Sequence, residues 1–291
     1  MSWLIFALLS ANFFAFVNLF DKFLRTKKFK NNYSYAVITG LIGLIILSFF
    51  IPFINFDGSF GWPLIFAFLS GIFYFVMWLF FWKALESGEV SRMVAIFGVR
   101  PIFTSVLSFI FLKESLGIFS WIAILMIVLG SLICSLEKGN ANSKNLMSAY
   151  LLVVLSALLC SAGDIFSKLA LRQMGTWALY LWSAFIILPV FLLLLGKKEI
   201  RREITDNLSD KQSVLALIPR VVLGLLGSAF FYLAINSGST GLVTAIIGIG
   251  PLLVFIYSTF ISFFFPKFIK ENITPAVLLQ KALAIILIVG G

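Results

Sequence analysis

Two ionisable side chains stand deep inside long apolar runs: Arg100 in FGVRPIFTSV and Asp164 in LLCSAGDIFSKL. A charge in hydrocarbon is costly, so each is a candidate functional residue by default. Arg100 precedes Pro101, which has no N–H to give and so leaves a backbone carbonyl free. Pro251 stands at the matching place in a later run. A buried guanidinium needs an acid or an anionic ligand. Asp164, Asp21 or Glu86 can serve as the acid; the other reading is a solute bearing a carboxylate or phosphate. Asp164 also suits proton coupling, because a carboxylate in a low dielectric titrates nearer neutral pH. Facilitated diffusion and exchange suit the residues equally.

Other polar groups lie nearby in sequence. Asn18, Asp21 and Lys22 end the first apolar run, and Lys168 follows Asp164 by four residues, close enough to pair along one helix face. That pair is either structural or part of a site. Lys22 adjoins a basic loop and can snorkel its ammonium to the interface, as can Lys83 and Lys281. Tyr74, Trp78 and Trp82 recur every four residues and form one helical stripe, with Tyr232 and Asn236 on an equivalent later segment. The stripe is either packing or the wall of a cavity for an amphipathic solute. Histidine is absent and Cys134 and Cys160 lie in separate apolar runs, so no metal or cofactor is expected. No phosphate-cradling loop, dinucleotide glycine motif or nucleophile elbow is found, and an enzyme is not expected.

The elements that must position these groups are membrane helices. Of 291 residues, 61% are hydrophobic and 12% charged, and mean hydropathy is +1.09. A water-facing surface cannot be built from so few charges. With about 20 residues per span, the length accommodates about ten helices and no soluble domain. We place them at 3–24, 33–54, 61–85, 91–112, 116–136, 146–171, 176–195, 213–236, 240–265 and 274–291, numbered here as segments 1 to 10. Turns are expected at Asn31-Asn32, Asp57-Gly58, Ser87-Gly88, Gly139-Asn140 and Ser237-Gly238-Ser239. The polar stretch from Gly196 to Gln212 reads as a surface loop with a short amphipathic turn. The first run has no basic residues before it and is expected to be a retained helix, not a cleaved signal.

The chain also repeats itself. At an offset of 150, ten identities fall between positions 80 and 108, among them Ser87-Gly88 with Ser237-Gly238, Gly98 with Gly248 and Pro101 with Pro251. At an offset of 146, Asn18 meets Asp164 and Lys22 meets Lys168. Two five-helix units, 1–136 and 146–291, joined by 137–145, are therefore expected. An odd number of spans inverts the second unit relative to the first, as in many secondary transporters. Loops after odd segments carry fourteen Lys and Arg against two, Lys113 and Arg172, after even ones. That bias places the odd loops in the cytoplasm. The net charge of +10 is thus a topology signal, and no nucleic-acid partner is expected.

The stretch ALESGEVSRMVAIFGVRPIFTSVLSFIFLKESLGIFSWIAILMIVLGS resembles the EamA-like branch of the drug/metabolite transporter superfamily. The matching features are the small-residue loop after Ala84-Leu85, mid-helix Pro101, the Lys113-Glu114 hairpin and Gly130. The second half repeats the pattern in AINSGSTGLVTAIIGIGP, Glu271, Thr274 and the Gly290 region, and Asn18 and Lys22 fit as well. The resemblance implies ten helices in two inverted repeats and carriage of small solutes. It also implies both chain ends in the cytoplasm, opposite to the charge count, and FFFPKFI before Glu271 lengthens the last hairpin. The expectation is a multi-pass plasma or inner membrane transporter of small organic metabolites such as amino acids or amines, a monomer or homodimer in the lipid bilayer. The rival is a non-transporting membrane protein for lipid handling or assembly, with a packed midplane.

Overall fold

The computed structural model describes residues 2–85, 93, 96–135, 143–264 and 287. Among them every regular element is helical. The helices are α1 Ser2–Lys27, α2 Asn32–Ser48, α3 Trp62–Leu85, α4 Arg100–Leu107, α5 Ile118–Ser135, α6 Ser143–Leu171, α7 Thr176–Phe185, α8 Leu188–Leu195, α9 Lys198–Ser209, α10 Lys211–Ser237, α11 Thr240–Ile247 and α12 Gly250–Phe264. Five spans are long and apolar enough to cross a bilayer: α1, α3, α6, the α7–α8 pair and α10. Shorter apolar helices stand at segments 2, 4, 5 and 9. Large apolar side chains such as Phe109, Leu151 and Leu193 are exposed around the outside, as a lipid-facing surface requires. This is an all-α membrane protein. Segment 10, apart from Leu287, lies outside the described residues, as do the expected turns at Ser87-Gly88 and Gly139-Asn140.

Proline sets several boundaries differently from the expected ones. Segment 2 stops at Ser48 and a 3-10 turn, Ile51–Phe53, follows. A longer helix would drive the Pro52 ring into the carbonyl of residue 48. Segments 4, 7 and 9 are broken helices, not continuous ones. New helices begin at Arg100, Leu188 and Gly250, and each has proline second: Pro101, Pro189 and Pro251. Proline suits a first turn, where its missing N–H leaves nothing unsatisfied. The breaks in segments 4 and 9 match turn for turn. Ile102 N bonds Val99 O at 3.0 Å and Leu252 N bonds Ile249 O at 2.9 Å. At Asp57-Gly58 the turn forms with Gly58 at φ 68°, where a Cβ would strike the Gln173 carbonyl.

A further correction concerns Gly196 to Gln212. It is not a loop with a short turn; α9 occupies most of it, with Ile200, Glu203, Ile204 and Asn207 on one face. Ile200 and Asn207 are buried, and the helix is tied to the α1–α2 loop. Glu203 accepts from Lys30 N at 2.6 Å and Asn31 N at 3.2 Å, and Lys28 Nζ lies 2.6 Å from Asp210. The hydrogen bond from Lys28, helped by those from Ser213, holds the Asp210 carboxyl down at about 2.

The two most extensive interfaces pair α1 with α10 and α3 with α6. Both run antiparallel. Along the first, Ser10 Oγ donates to Gly227 O at 2.8 Å, and Arg220 meets Asp21 lower down. Along the second, Ser70 and Ser167 hydroxyls bond at 2.7 Å, and Tyr74 packs on Gly163 one turn further. The repeat offsets carry one interface onto the other: Asp21 onto Ser167, Arg220 onto Ser70. An ion pair in one seam thus stands where a hydroxyl pair stands in its twin. Side-chain volume is exchanged likewise. A Cβ on Gly163 would lie 2.9 Å from the Tyr74 ring, while in the twin seam the large residue is Val17 and the glycine is Gly224, 3.9 Å apart by the same measure. Segments 4 and 9 cross antiparallel between the seams, Gly248 against Pro101 and Gly241 against Ser105. Antiparallel pairing of segments 1 with 8 and 3 with 6 follows from odd and even spans crossing in opposite directions.

That register is testable. Cysteines replacing Ser70 and Ser167, in a chain with Cys134 and Cys160 changed to serine, are expected to cross-link on mild oxidation. Cysteines at Ser70 and Ser156 are not, being offset by about 16 Å along α6. Cross-linking of the second pair and not the first would refute the register.

Candidate functional site

The break in segment 4 starts α4 at the level where it crosses segment 9, and so places Arg100 near the middle of the bundle. Asp164 approaches it from α6. The carboxylate and guanidinium form a forked pair: Nη2 donates to Oδ1 at 2.7 Å and Oδ2 at 2.8 Å, and Nε donates to Oδ2 at 3.1 Å. Two further donors complete the carboxylate. Tyr74 Oη donates to Oδ1 at 2.8 Å and Thr104 Oγ1 lies 3.3 Å from Oδ2. Thr104 follows Arg100 by one helical turn, so both face α6. Ser161 and Ser167 flank Asp164 at one turn either side on α6. Ser161 Oγ reaches Thr104 at 2.9 Å and the Arg100 carbonyl at 3.2 Å, and Ser167 joins Ser70 and Tyr74. From α10, the Phe231 ring lies 5.4 Å from Arg100 Cζ, within cation–π range.

The electrostatics follow from solvent access. Asp164 is fully buried, and all of its acceptor capacity faces protein donors. Arg100 leaves 17% of its side chain exposed. Among the described residues nothing bonds its Nη1. The pair is neutral overall, and one guanidinium nitrogen has no partner among the described residues.

Of the residues singled out in the sequence, Arg100, Asp164 and Tyr74 come together here. Lys168 does not pair with Asp164. Its ammonium turns to the end of α10, bonding the Ile235 carbonyl and lying 3.0 Å from Gly238 O, and Glu114 is 3.9 Å away. The reason is electrostatic: a helix C-terminus and a carboxylate attract a cation more than an acid already holding Arg100. Glu114 in turn caps α11 through Thr240 N at 2.8 Å. Asn18 is exposed on α1, and Asn236 is exposed at the end of α10. The Lys22 side chain lies outside the described residues. Trp78 and Trp82 stack on each other at 5.6 Å beyond Tyr74, with Trp78 partly exposed. Tyr232 is buried edge-on to Tyr180 at 5.4 Å. Pro101 and Pro251 stand at the two breaks already described.

A second charged cluster escaped the sequence reading. Arg220 Nε donates to Asp21 Oδ1 at 2.7 Å, Tyr35 Oη donates to the same carboxylate, and the guanidinium lies over the Tyr35 ring at 5.5 Å. Arg220 also sits in an apolar run beside a proline, Pro219, and the rule that singled out Arg100 applies to it equally.

Comparison with known proteins agrees with this architecture. The sequence profile of the EamA-like transporter family matches residues 1–136 and 147–290. The chain belongs to the EamA-like transporter family. It is 27% identical over 196 residues to the "Uncharacterized transporter YdfC" of Bacillus subtilis (strain 168). That match spans 66% of this chain and 58% of the Bacillus protein, so the chain aligns with little over half of its relative's length. A protein of known crystal structure superposes with a TM-score of 0.74 at 16% identity, over 99% of this chain and 94% of the other, a likeness of fold. The family is one of multi-pass membrane transporters.

The pairing predicts a stability hierarchy. Arg100→Leu strands a buried carboxylate and is expected to cost about 3–5 kcal/mol, read as a lower Tm in detergent. The double variant Arg100→Gln/Asp164→Asn keeps hydrogen-bonding partners without charge and is expected to lose clearly less. A double variant no more stable than Arg100→Leu would show that the charges are not coupled.

Proposed function

We propose that the chain is a secondary carrier of small organic metabolites, working by alternating access around the Arg100–Asp164 site. The units 1–136 and 146–291, joined by 137–145, would exchange conformations so that one face opens as the other closes. The observation that carries this reading is the placement of a charged pair, with one guanidinium nitrogen unpartnered among the described residues, where broken helices of both repeats cross. A protein with a purely packed midplane, as an assembly or lipid-handling factor would have, gains nothing from an incompletely paired guanidinium there. Neither ATP hydrolysis nor a second chain is needed for such exchange, and the carrier works as a monomer or a homodimer.

The charge bias supports an orientation with the odd loops, including α9, in the cytoplasm. Ser209→Cys on α9 is then expected to react with a membrane-impermeant maleimide in inside-out vesicles and not in right-side-out ones. The opposite pattern would reverse the orientation.

Transport itself is tested in liposomes loaded with a panel of amino acids, amines, organic acids and nucleosides. Counterflow of at least one class is expected, abolished in Arg100→Leu. No flux of any class above protein-free liposomes would count against a carrier.

A further inference from the structure

We propose that the solute is held through a carboxylate, and that Arg100 Nη1 is the atom that binds it. This rests on the carrier reading above and names the substrate class for the same site. The argument is one of valence. Asp164 accepts from Tyr74, Arg100 and Thr104 and is shut off from solvent. An incoming ammonium therefore finds no free carboxylate oxygen, and an amine gains no ion pair here. The guanidinium is in the opposite state. Its Nε and Nη2 are spent on Asp164, and among the described residues nothing bonds its Nη1.

The position of that atom matters as much as its valence. Arg100 stands on α4, is clasped by Asp164 on α6 and is covered by Phe231 on α10. Helices therefore stand on three sides of the guanidinium. A carboxylate at Nη1 receives a charge-assisted hydrogen bond in a low dielectric. The charge already present on Asp164 limits the site to one negative group of modest charge density. A carboxylate adds one negative charge to the neutral pair and a phosphate dianion adds two, so the carboxylate meets less repulsion from Asp164.

The hydrocarbon part of the solute has a wall available. The Phe231 ring lies against the guanidinium and supplies aromatic surface beside it. Acidity at the head and tolerance at the tail is therefore the expected selectivity.

The test separates binding from transport. Purified protein in detergent is titrated with carboxylates bearing methyl, isobutyl and benzyl tails, with the amines in which ammonium replaces the carboxylate, with the corresponding α-amino acids, and with methyl phosphate. Ligand-induced shifts in Tm report binding, and liposome counterflow reports carriage. Carboxylates and α-amino acids are expected to raise Tm, and the amines are not. In Arg100→Gln/Asp164→Asn, which retains a neutral hydrogen-bonded pair, the carboxylate affinity is expected to fall by roughly tenfold to a hundredfold. Binding by amines alone, by methyl phosphate alone, or by none of the ligands overturns the assignment, as does unchanged carboxylate affinity in the double variant. Carboxylate binding without any counterflow would leave the acid site standing and remove the carrier reading instead.

Discussion

The fold depends on one constraint: a charge in the middle of a hydrocarbon slab must find its opposite within the protein. Arg100 lies in the first half of the chain and Asp164 in the second, so among the described residues each charge finds its partner in the other half. The same holds for Asp21 and Arg220, contributed by the first and second repeats in turn. Docking of the two halves is therefore demanded twice over. Each carboxylate also accepts a tyrosine hydroxyl, from Tyr74 and Tyr35, which spreads the charge over a second donor. Hydrophobic burial cannot supply this specificity, because lipid is as apolar as the helices it would replace.

Backbone breaks are the second requirement. A continuous segment 4 would carry its side chains past α6 on a helical spiral fixed by the helix as a whole. Interrupting it before Pro101 lets α4 restart with Arg100 and Thr104 both aimed at Asp164. The freed turn at Gly98 and Val99 is tolerable because it lies inside the bundle, where irregular backbone can be satisfied. Segment 9 breaks in the same way although its counterpart of Arg100 is Gly250, so the break belongs to the scaffold and the charge is an addition to it.

Much of this was legible from residues alone, and the reasons differ by element. The apolar runs and Ser-Gly and Pro landmarks revealed spans, repeat and family, since hydrophobic length and repeat spacing are properties of the chain itself. Arg100 and Asp164 stood out because burial makes isolated charges conspicuous, yet their partnership did not, because Asp21 and Glu86 were equally eligible in sequence. Lys168 misled for a related reason: spacing of four suggests a neighbour on the same helix, whereas the stronger field came from the end of α10 and from Glu114, more than fifty residues away. In α9 the polar majority hid a face built on Ile200 and Ile204. Ser70, Thr104, Ser161 and Ser167 carry no signal at all until two helices bring their hydroxyls within reach.

The scaffold is two-fold, but its chemistry is one-sided. The repeat offsets take Asp164 to Asn18, Tyr74 to Gly224, Arg100 to Gly250, Thr104 to Val254 and Ser161 to Ala15, so the twin position carries none of the charged site. Every group that holds the Asp164 carboxylate lies on α3, α4 or α6, and those helices form one seam with its crossing partner. Phe231 against Arg100 crosses from this unit to the other seam, as do the Lys168 ammonium at the end of α10 and Pro101 and Ser105 against Gly248 and Gly241. The charged site is thus a local addition to a repeated scaffold, held by hydrogen bonds and an ion pair that the twin position has no groups to make.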